Sequence, residues 1–347
     1  MRSLSLLSHA RLLAKLGQME WRTGRQRVEP SLWKSGFFSD RAGLYPLDRF
    51  PHDLFLNDWE IEARLGRINP PESLAFLGDK LLFHLLLDRL GLDVRRPVLA
   101  GLVTAGQYIP VGAFASWAEA ASEPLIIKPV SGSGGRGVTR LERGSPLPNA
   151  GSHLVERCIV PHPYGQRIFG GAINTVRVMT ARDPRSGEPF ILGAAHRFGT
   201  AHSAPTDNRK QGGLVSAIAP ETGILSAAIG LGAGNQREVH DRHPETSGPI
   251  QGVTIPFWQE LTDAALTLAR AFPGLHLVGW DLAVDETGPV VVEGNAALPN
   301  PNLLQAHAPL LLDARARDFL QHHGIITRAR ALRAQGLSRA WPSSSRS

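Results

Sequence analysis

The segment Gly279-Trp280-Asp281-Leu282-Ala283-Val284, continued through Asp285-Glu286-Thr287-Gly288 into Pro289-Val290-Val291-Val292-Glu293-Gly294-Asn295, carries the reading of the fold. Two apolar runs flank a short polar loop that ends in glycine, which is the pattern of a β-hairpin. Folding back at the loop sets Asp281 opposite Glu293, or one place off. Side chains alternate along a strand, so Glu293 and Asn295 share a face. Two carboxylates and an amide oxygen are hard donors that suit Mg²⁺. They are too few to enclose it, and a Mg²⁺ site of this kind leaves positions for water and phosphate oxygens. The hairpin thereby implies a nucleotide. Read alone, the same residues also allow a solvated Asp281 and a plain chain turn at Glu293-Gly294-Asn295.

The 347 residues suffice for two or three lobes and a substantial core, and 42% hydrophobic against 20% charged residues is ordinary for a globular chain. No run of about 18 apolar residues occurs, so no transmembrane helix is expected. Met1 to Leu16 has scattered Arg and His with apolar positions at helical spacing, unlike a secretion signal, and a cytoplasmic protein is expected. The single cysteine, Cys158, excludes an internal disulfide framework and a Cys-rich metal site. A net charge of +6, carried mostly by Arg, suits a partner rich in phosphate or carboxylate groups. The arginines at the two ends are not interleaved with aromatics, so nucleic acid is not the expected partner.

The first 70 residues mix short helical pieces with Trp21, Trp33, Phe37, Phe38, Tyr45, Phe50, Phe55 and Trp59, separated by prolines, and read as an aromatic-rich cap. Gly78-Asp79-Lys80 then opens a helix that Gly91 closes, with Leu81, Leu82, Leu85, Leu86 and Leu90 as its expected apolar face. Lys80 falls in the first turn, where a cation opposes the helix dipole; it is either a surface lysine or one that has a ligand. Strands are expected at 98–103, 108–111, 125–128, 154–159, 175–180 and 190–197, with helices near 116–121 and over 256–271. The order indicates an α+β fold with antiparallel sheets, not a doubly wound parallel one.

In Leu125-Ile126-Ile127-Lys128-Pro129-Val130-Ser131-Gly132-Ser133-Gly134-Gly135-Arg136-Gly137, a lysine ends a buried strand just before a loop dense in glycine and serine. Such a loop lets successive backbone N–H groups approach an anion, with Lys128 as the point charge. The lysine precedes the glycines, so this is not a P-loop.

Gly78-Asp79-Lys80, the lysine and glycine-rich loop, Val155-Glu156-Arg157-Cys158-Ile159, Asp281, and Glu293-Gly294-Asn295 occur in an order that resembles the ATP-grasp superfamily across about residues 76 to 310. Ile173-Asn174-Thr175-Val176-Arg177, Thr206-Asp207-Asn208 with Gln211-Gly212-Gly213, and Gln305 are similar to its sugar-transfer-associated branch, related to α-L-glutamate ligase-like proteins. The resemblance implies two α+β subdomains clasping ATP. A cap region would occupy residues 1–70 and the ATP-grasp domain 71–315, with lobes at about 76–155 and 156–315. A helical extension and disordered tail would fill 316–347.

By the same resemblance, Lys80 and Lys128 would neutralise phosphates while Ser131, Gly132, Ser133, Gly134, Gly135 and Gly137 close over them. Glu156 and Ile159 would meet the adenine edge through their backbone groups. Asp281, Glu293 and Asn295 would hold Mg²⁺, and Arg177 and Arg197 would stabilise the transferring phosphoryl group. His196 and His202 are expected to be structural. The loop 200–213, with Asp207, Asn208, Arg209 and Lys210, is the candidate for substrate contacts, Asn208 and Lys210 foremost. The implied activity is ATP-dependent carboxylate–amine ligation through an acyl phosphate, on small-molecule or sugar-linked substrates, in polysaccharide or amino-acid conjugate biosynthesis. A phosphotransferase or a non-catalytic nucleotide-binding scaffold are the alternatives. Residues 1–70 show no alternating strand and helix pattern, so the substrate-binding lobe common ahead of this element in ATP-grasp ligases is expected to be absent or replaced by the aromatic cap, and no family substrate carries over.

Overall fold

The computed structural model describes residues 16–18, 29–132, 134–149, 151–232 and 236–340. The expected helical spacing before Leu16, Trp21, Ser133 and the tail Ser343–Ser347 lie outside the described residues. Among the described residues, twelve strands form two sheets. The first has the order β2-β1-β5-β3-β4, built from β1 (Leu99–Thr104), β2 (Gln107–Ile109), β3 (Leu125–Pro129), β4 (Thr139–Leu141) and β5 (His153–Arg157). The second has the order β10-β9-β8-β7-β6-β11-β12. Its strands are β6 (Val176–Arg182), β7 (Pro189–Phe198), β8 (Leu214–Ile218), β9 (Leu225–Leu231), β10 (Arg237–His240), β11 (Leu277–Asp285) and β12 (Gly288–Asn295). Every neighbouring pair is antiparallel. The architecture is α+β, with a helical, aromatic-rich region ahead of it. The expected division between lobes at 155 and 156 falls inside β5.

Alternation decides which side chains reach the space between the sheets. In β3, Leu125 and Ile127 join Ala100, Val103, Phe114 and Val155 in the core behind the first sheet. Ile126 and Lys128 therefore point the other way and line a cleft. The second sheet is covered on both faces. Val178, Phe198, Trp280 and Leu282 pack against Leu261, Ala265 and Leu268 of the helix Trp258–Ala271. Met179, Ala181, Ala195 and Leu277 project to the opposite face, beneath Phe37, Tyr45, Phe50 and Phe55 of the cap and Phe319 of the helix Ala314–His322. Arg177, Arg197 and Asp281 have the same parity as those residues. The cap thus covers one part of this face and leaves the rest to the cleft.

The helix Lys80–Leu90 starts where Asp79 accepts a hydrogen bond from the Leu82 N–H at 2.9 Å, and it ends at left-handed Gly91. Its buried face is not the one expected. Phe83, His84 and Leu87 are buried, whereas Leu85 and Leu90 are 43% and 46% exposed. The run is apolar almost all round, so periodicity could not orient it; packing against Phe272 and Trp280 did.

Candidate functional site

Asp281 pairs with Glu293 and Gly279 with Asn295 across β11 and β12, while Asp281 pairs with Arg177 of β6 on its other side. This register puts two carboxylates, an amide and a guanidinium on one face. Asp281 is 1% exposed, which disposes of the solvated-strand reading. Arg177 meets it with two bonds, Nε to Oδ1 at 2.5 Å and Nη2 to Oδ2 at 2.9 Å, and Arg197 of β7 adds a third at 3.1 Å. Burial raises the proton affinity of Asp281, but the two arginines outweigh it and hold the carboxyl well below its ordinary range. Glu293 shifts the other way: burial and the adjacent Asp281 push it up. Its Oε1 accepts from the Asn295 amide at 3.3 Å, and among the described residues no Arg or Lys lies within ion-pairing distance of it.

Lys128 and Glu156 face the cleft from β3 and β5, with Nζ 2.7 Å from Oε2. Glu156 is 3% exposed; burial raises its proton affinity, and Lys128 and His84 reverse that, leaving it below the usual carboxylate range. Lys80 arrives from the helix N-terminus, tied to the exit of β3 by its backbone N–H to the Val130 carbonyl at 2.9 Å and by Nζ to the Gly132 carbonyl at 2.9 Å. Burial lowers the pKa of Lys80, and Lys128 works in the same direction.

The cleft measures about 440 Å³. Lys80, Lys128, Ser131, Gly132, Gly134, Gly135, Glu156, Ile159, Arg177, Arg197, Asn208, Lys210, Asp281, Glu293 and Asn295 all line it. Gly137 does not; its positive φ and the approach of Pro129 to 2.9 Å from a Cβ there leave room for glycine alone at the foot of the loop. Several expectations change in detail. The backbone of Glu156 sits between β1 and β3, opposite Leu99 and Ile126, so the side chain is the part that serves the cleft; Ile159 lies beyond the strand end. Asn208 has both ends of its amide engaged: Nδ2 donates to the Gly134 carbonyl at 2.5 Å and Oδ1 accepts from the Lys210 N–H at 3.0 Å. Asp207 accepts from the Thr175 N–H and Oγ1 at 2.7 and 2.6 Å and lies 3.4 Å from Arg197. In sequence these two residues belong to the loop expected to contact substrate, and nothing local shows the protein groups that they hold.

His196 is fully buried, donates from Nδ1 to the Arg197 carbonyl and accepts at Nε2 from Tyr164; burial takes its pKa down to about 3, so it is a neutral structural residue. His202 is exposed and outside the lining. Asn174 and Gln305 of the recognised motifs are structural as well. Asn174 ties Gly165 and Phe169 to Gly199, and Gln305 joins Leu56 to Tyr45. Sequence reading missed His84, which hydrogen-bonds Glu156, and Arg41 and Asn302, which bring the cap to the cleft. Only the spacing of His84 one turn after Lys80 was there to be noticed.

Residues 145–308, a little under half of the chain, match the model of the sugar-transfer associated ATP-grasp family. No curated protein matches the chain. Among solved structures it is similar to an N5-carboxyaminoimidazole ribonucleotide synthetase from Thermotoga maritima, with 15% identity over 66% of this chain and 44% of that one, TM-score 0.38. It is also similar to a biotin carboxylase from Campylobacter jejuni in complex with βγ-ATP, with 15% identity over 76% and 50%, TM-score 0.45. A D-alanine–D-alanine ligase from Bacillus anthracis complexed with ATP shares 12% identity over 76% and 71%, TM-score 0.41. The chain spans less than half the length of the first of these.

Proposed function

We propose that this chain, a member of the ATP-grasp superfamily, is an ATP-dependent ligase that joins a carboxylate to an amine. The observation that carries the reading is one cleft in which two lysines from one side face two arginines, two carboxylates and an amide from the other. In the reaction a carboxylate oxygen attacks the γ-phosphorus of ATP, the bond to the β-phosphate oxygen breaks, and ADP leaves an acyl phosphate. An amine nitrogen then attacks the carbonyl carbon, phosphate departs, and the nitrogen loses its proton. Activation is required because a free carboxylate is a poor electrophile.

Lys80 and Lys128 would bind the phosphate chain from two sides, and the loop from Ser131 to Gly137 would lie over it and exclude water. Ile159, past the end of β5, would meet the base. Arg177 and Arg197, preorganised by Asp281, Asp207 and Thr175, would stabilise charge on the transferring phosphoryl group without reorganising. The residues fit Mg²⁺: Asp281 is buried and the half-buried Glu293 stands beside it, raised in pKa by burial and by that neighbouring carboxylate, with no Arg or Lys within ion-pairing distance among the described residues. Glu293 and Asn295 would be the primary ligands, with Asp281 sharing its charge with the arginines. Mg²⁺, when bound, neutralises phosphate charge. Domain limits at 70 and 315 and a biosynthetic role in polysaccharide or amino-acid conjugates belong to the same proposal.

The test is calorimetric titration with ATP, with and without Mg²⁺, on wild type and Glu293→Gln, followed by amine-dependent phosphate release over a panel of carboxylates. Mg²⁺-dependent ATP binding weakened at least about tenfold in Glu293→Gln is expected. Equal binding in both would remove the hairpin from the metal site, and phosphoryl transfer without any need for amine would favour a phosphotransferase.

A further inference from the structure

We infer that His84 is a positioning residue for the phosphate-binding lysine Lys128, acting through Glu156; the inference rests on the nucleotide reading of the cleft. Three elements meet at one carboxylate. Glu156 projects from the central strand of the first sheet. Lys128 lies diagonally across on β3, since Ile126 pairs with Glu156 and Lys128 with Leu154. His84 comes from the helix Lys80–Leu90, one turn beyond Lys80 and on the same face. His84 is 4% exposed, Glu156 3% and Lys128 5%.

The two oxygens of Glu156 are divided between two donors. Oε1 lies 2.6 Å from His84 Nε2, and Oε2 lies 2.7 Å from Lys128 Nζ. A carboxylate only accepts, so the proton of the imidazole is on Nε2. Nδ1 is buried and has no hydrogen-bond partner among the described residues, so the ring is held at this point by Glu156 alone. With Oε1 taken, the carboxylate plane is fixed and Glu156 offers Lys128 a single oxygen. The ammonium keeps its remaining donors for the cleft. Without His84, Glu156 is free to turn its second oxygen toward Lys128 or toward Lys80, whose charge it also feels. Lys80 and His84 share a helix, so that one element carries one lysine and orients the other.

The experiment is a double-mutant cycle read by calorimetric titration with MgATP, on wild type, His84→Met, Lys128→Met and the double variant. His84→Gln, which retains a donor of similar reach, and His84→Asn, which does not reach Glu156, complete the set. His84→Met is expected to weaken MgATP about tenfold, the scale of one lost buried hydrogen bond to a charged group. His84→Gln is expected to restore binding to within about twofold, and His84→Met is expected to add nothing in the Lys128→Met background. If His84→Met does not fold, His84→Asn takes its place in the cycle. Additive losses, or equal losses in Gln and Asn variants, mean that His84 only fills space, and the inference is wrong. Should Lys128→Met itself leave MgATP affinity unchanged, the nucleotide reading of Lys128 fails first, and the inference fails with it for that distinguishable reason.

Discussion

Asp281 and Glu293 face each other across one strand pair and yet behave oppositely. Two guanidiniums hold Asp281 ionised, while Glu293, with burial against it and a neighbouring negative charge, is raised. Asp281 is therefore the electrostatic anchor of the β6–β7–β11 surface, and replacing it would strand two buried arginines; Glu293 is the cleaner position for probing a metal. Glu156 invites a test of pH dependence. Its pKa lies below the ordinary 4.5, so its contribution to stability is fully present above that value and is lost as pH falls through the depressed one. Glu156→Gln is expected to lose roughly 3 kcal/mol near neutral pH, because Lys128 is left buried and unpaired. The gap between variant and wild type should close as pH drops below about 4.5. Urea unfolding at a series of pH values measures it, and a gap independent of pH would contradict the assignment.

The glycine-rich loop and the loop 200–213 meet as elements. Asn208 donates to the Gly134 carbonyl, and a Cβ on Gly135 would come 2.9 Å from Thr206 Cγ2. Gly135 also has φ +71°, a conformation that costs a side chain about 1 to 2 kcal/mol. Gly135→Ala should therefore spoil the docking of the two loops while the exposed loop leaves global stability nearly untouched. The expected result is a rise of about tenfold in the MgATP dissociation constant with a melting temperature within about 2 °C of wild type. A large loss of thermal stability would show instead that the loop supports the fold.

At the scale of the whole molecule, the cap and the C-terminal helices are one layer over the second sheet. Arg330, in the helix Arg328–Ser338, bonds Glu60 Oε1 at 2.7 Å, the Phe55 carbonyl at 2.6 Å and Asp53 Oδ1 at 2.7 Å. Tyr45 donates to Asn302 Oδ1 at 2.5 Å and stacks on Phe55 with centroids 5.2 Å apart, so the cap reaches the rim of the cleft. Arg330→Ala is expected to cost about 3 kcal/mol in urea unfolding, the scale for breaking a buried ion pair. A loss below about 0.5 kcal/mol would mean that the bridge is solvated and of no account.

The amino-acid order by itself determined what local rules can determine. Alternation in 279–295 placed Asp281, Glu293 and Asn295 on one face, Asp79 and Gly91 bounded a helix, and three of the five lysines, Lys80, Lys128 and Lys210, were marked as site residues and do line the cleft. Tertiary structure alone decided the rest. A run that is apolar almost all round, such as Leu81 to Leu87 with His84 at its centre, has no preferred face until Phe272 and Trp280 supply one, and that choice turned His84 toward Glu156. A polar loop residue such as Asp207 or Asn208 shows its partner only when strands distant in sequence bring Thr175, Arg197 and Gly134 beside it. Hydrogen bonds of that reach carry no periodicity, so no window of sequence could have contained them.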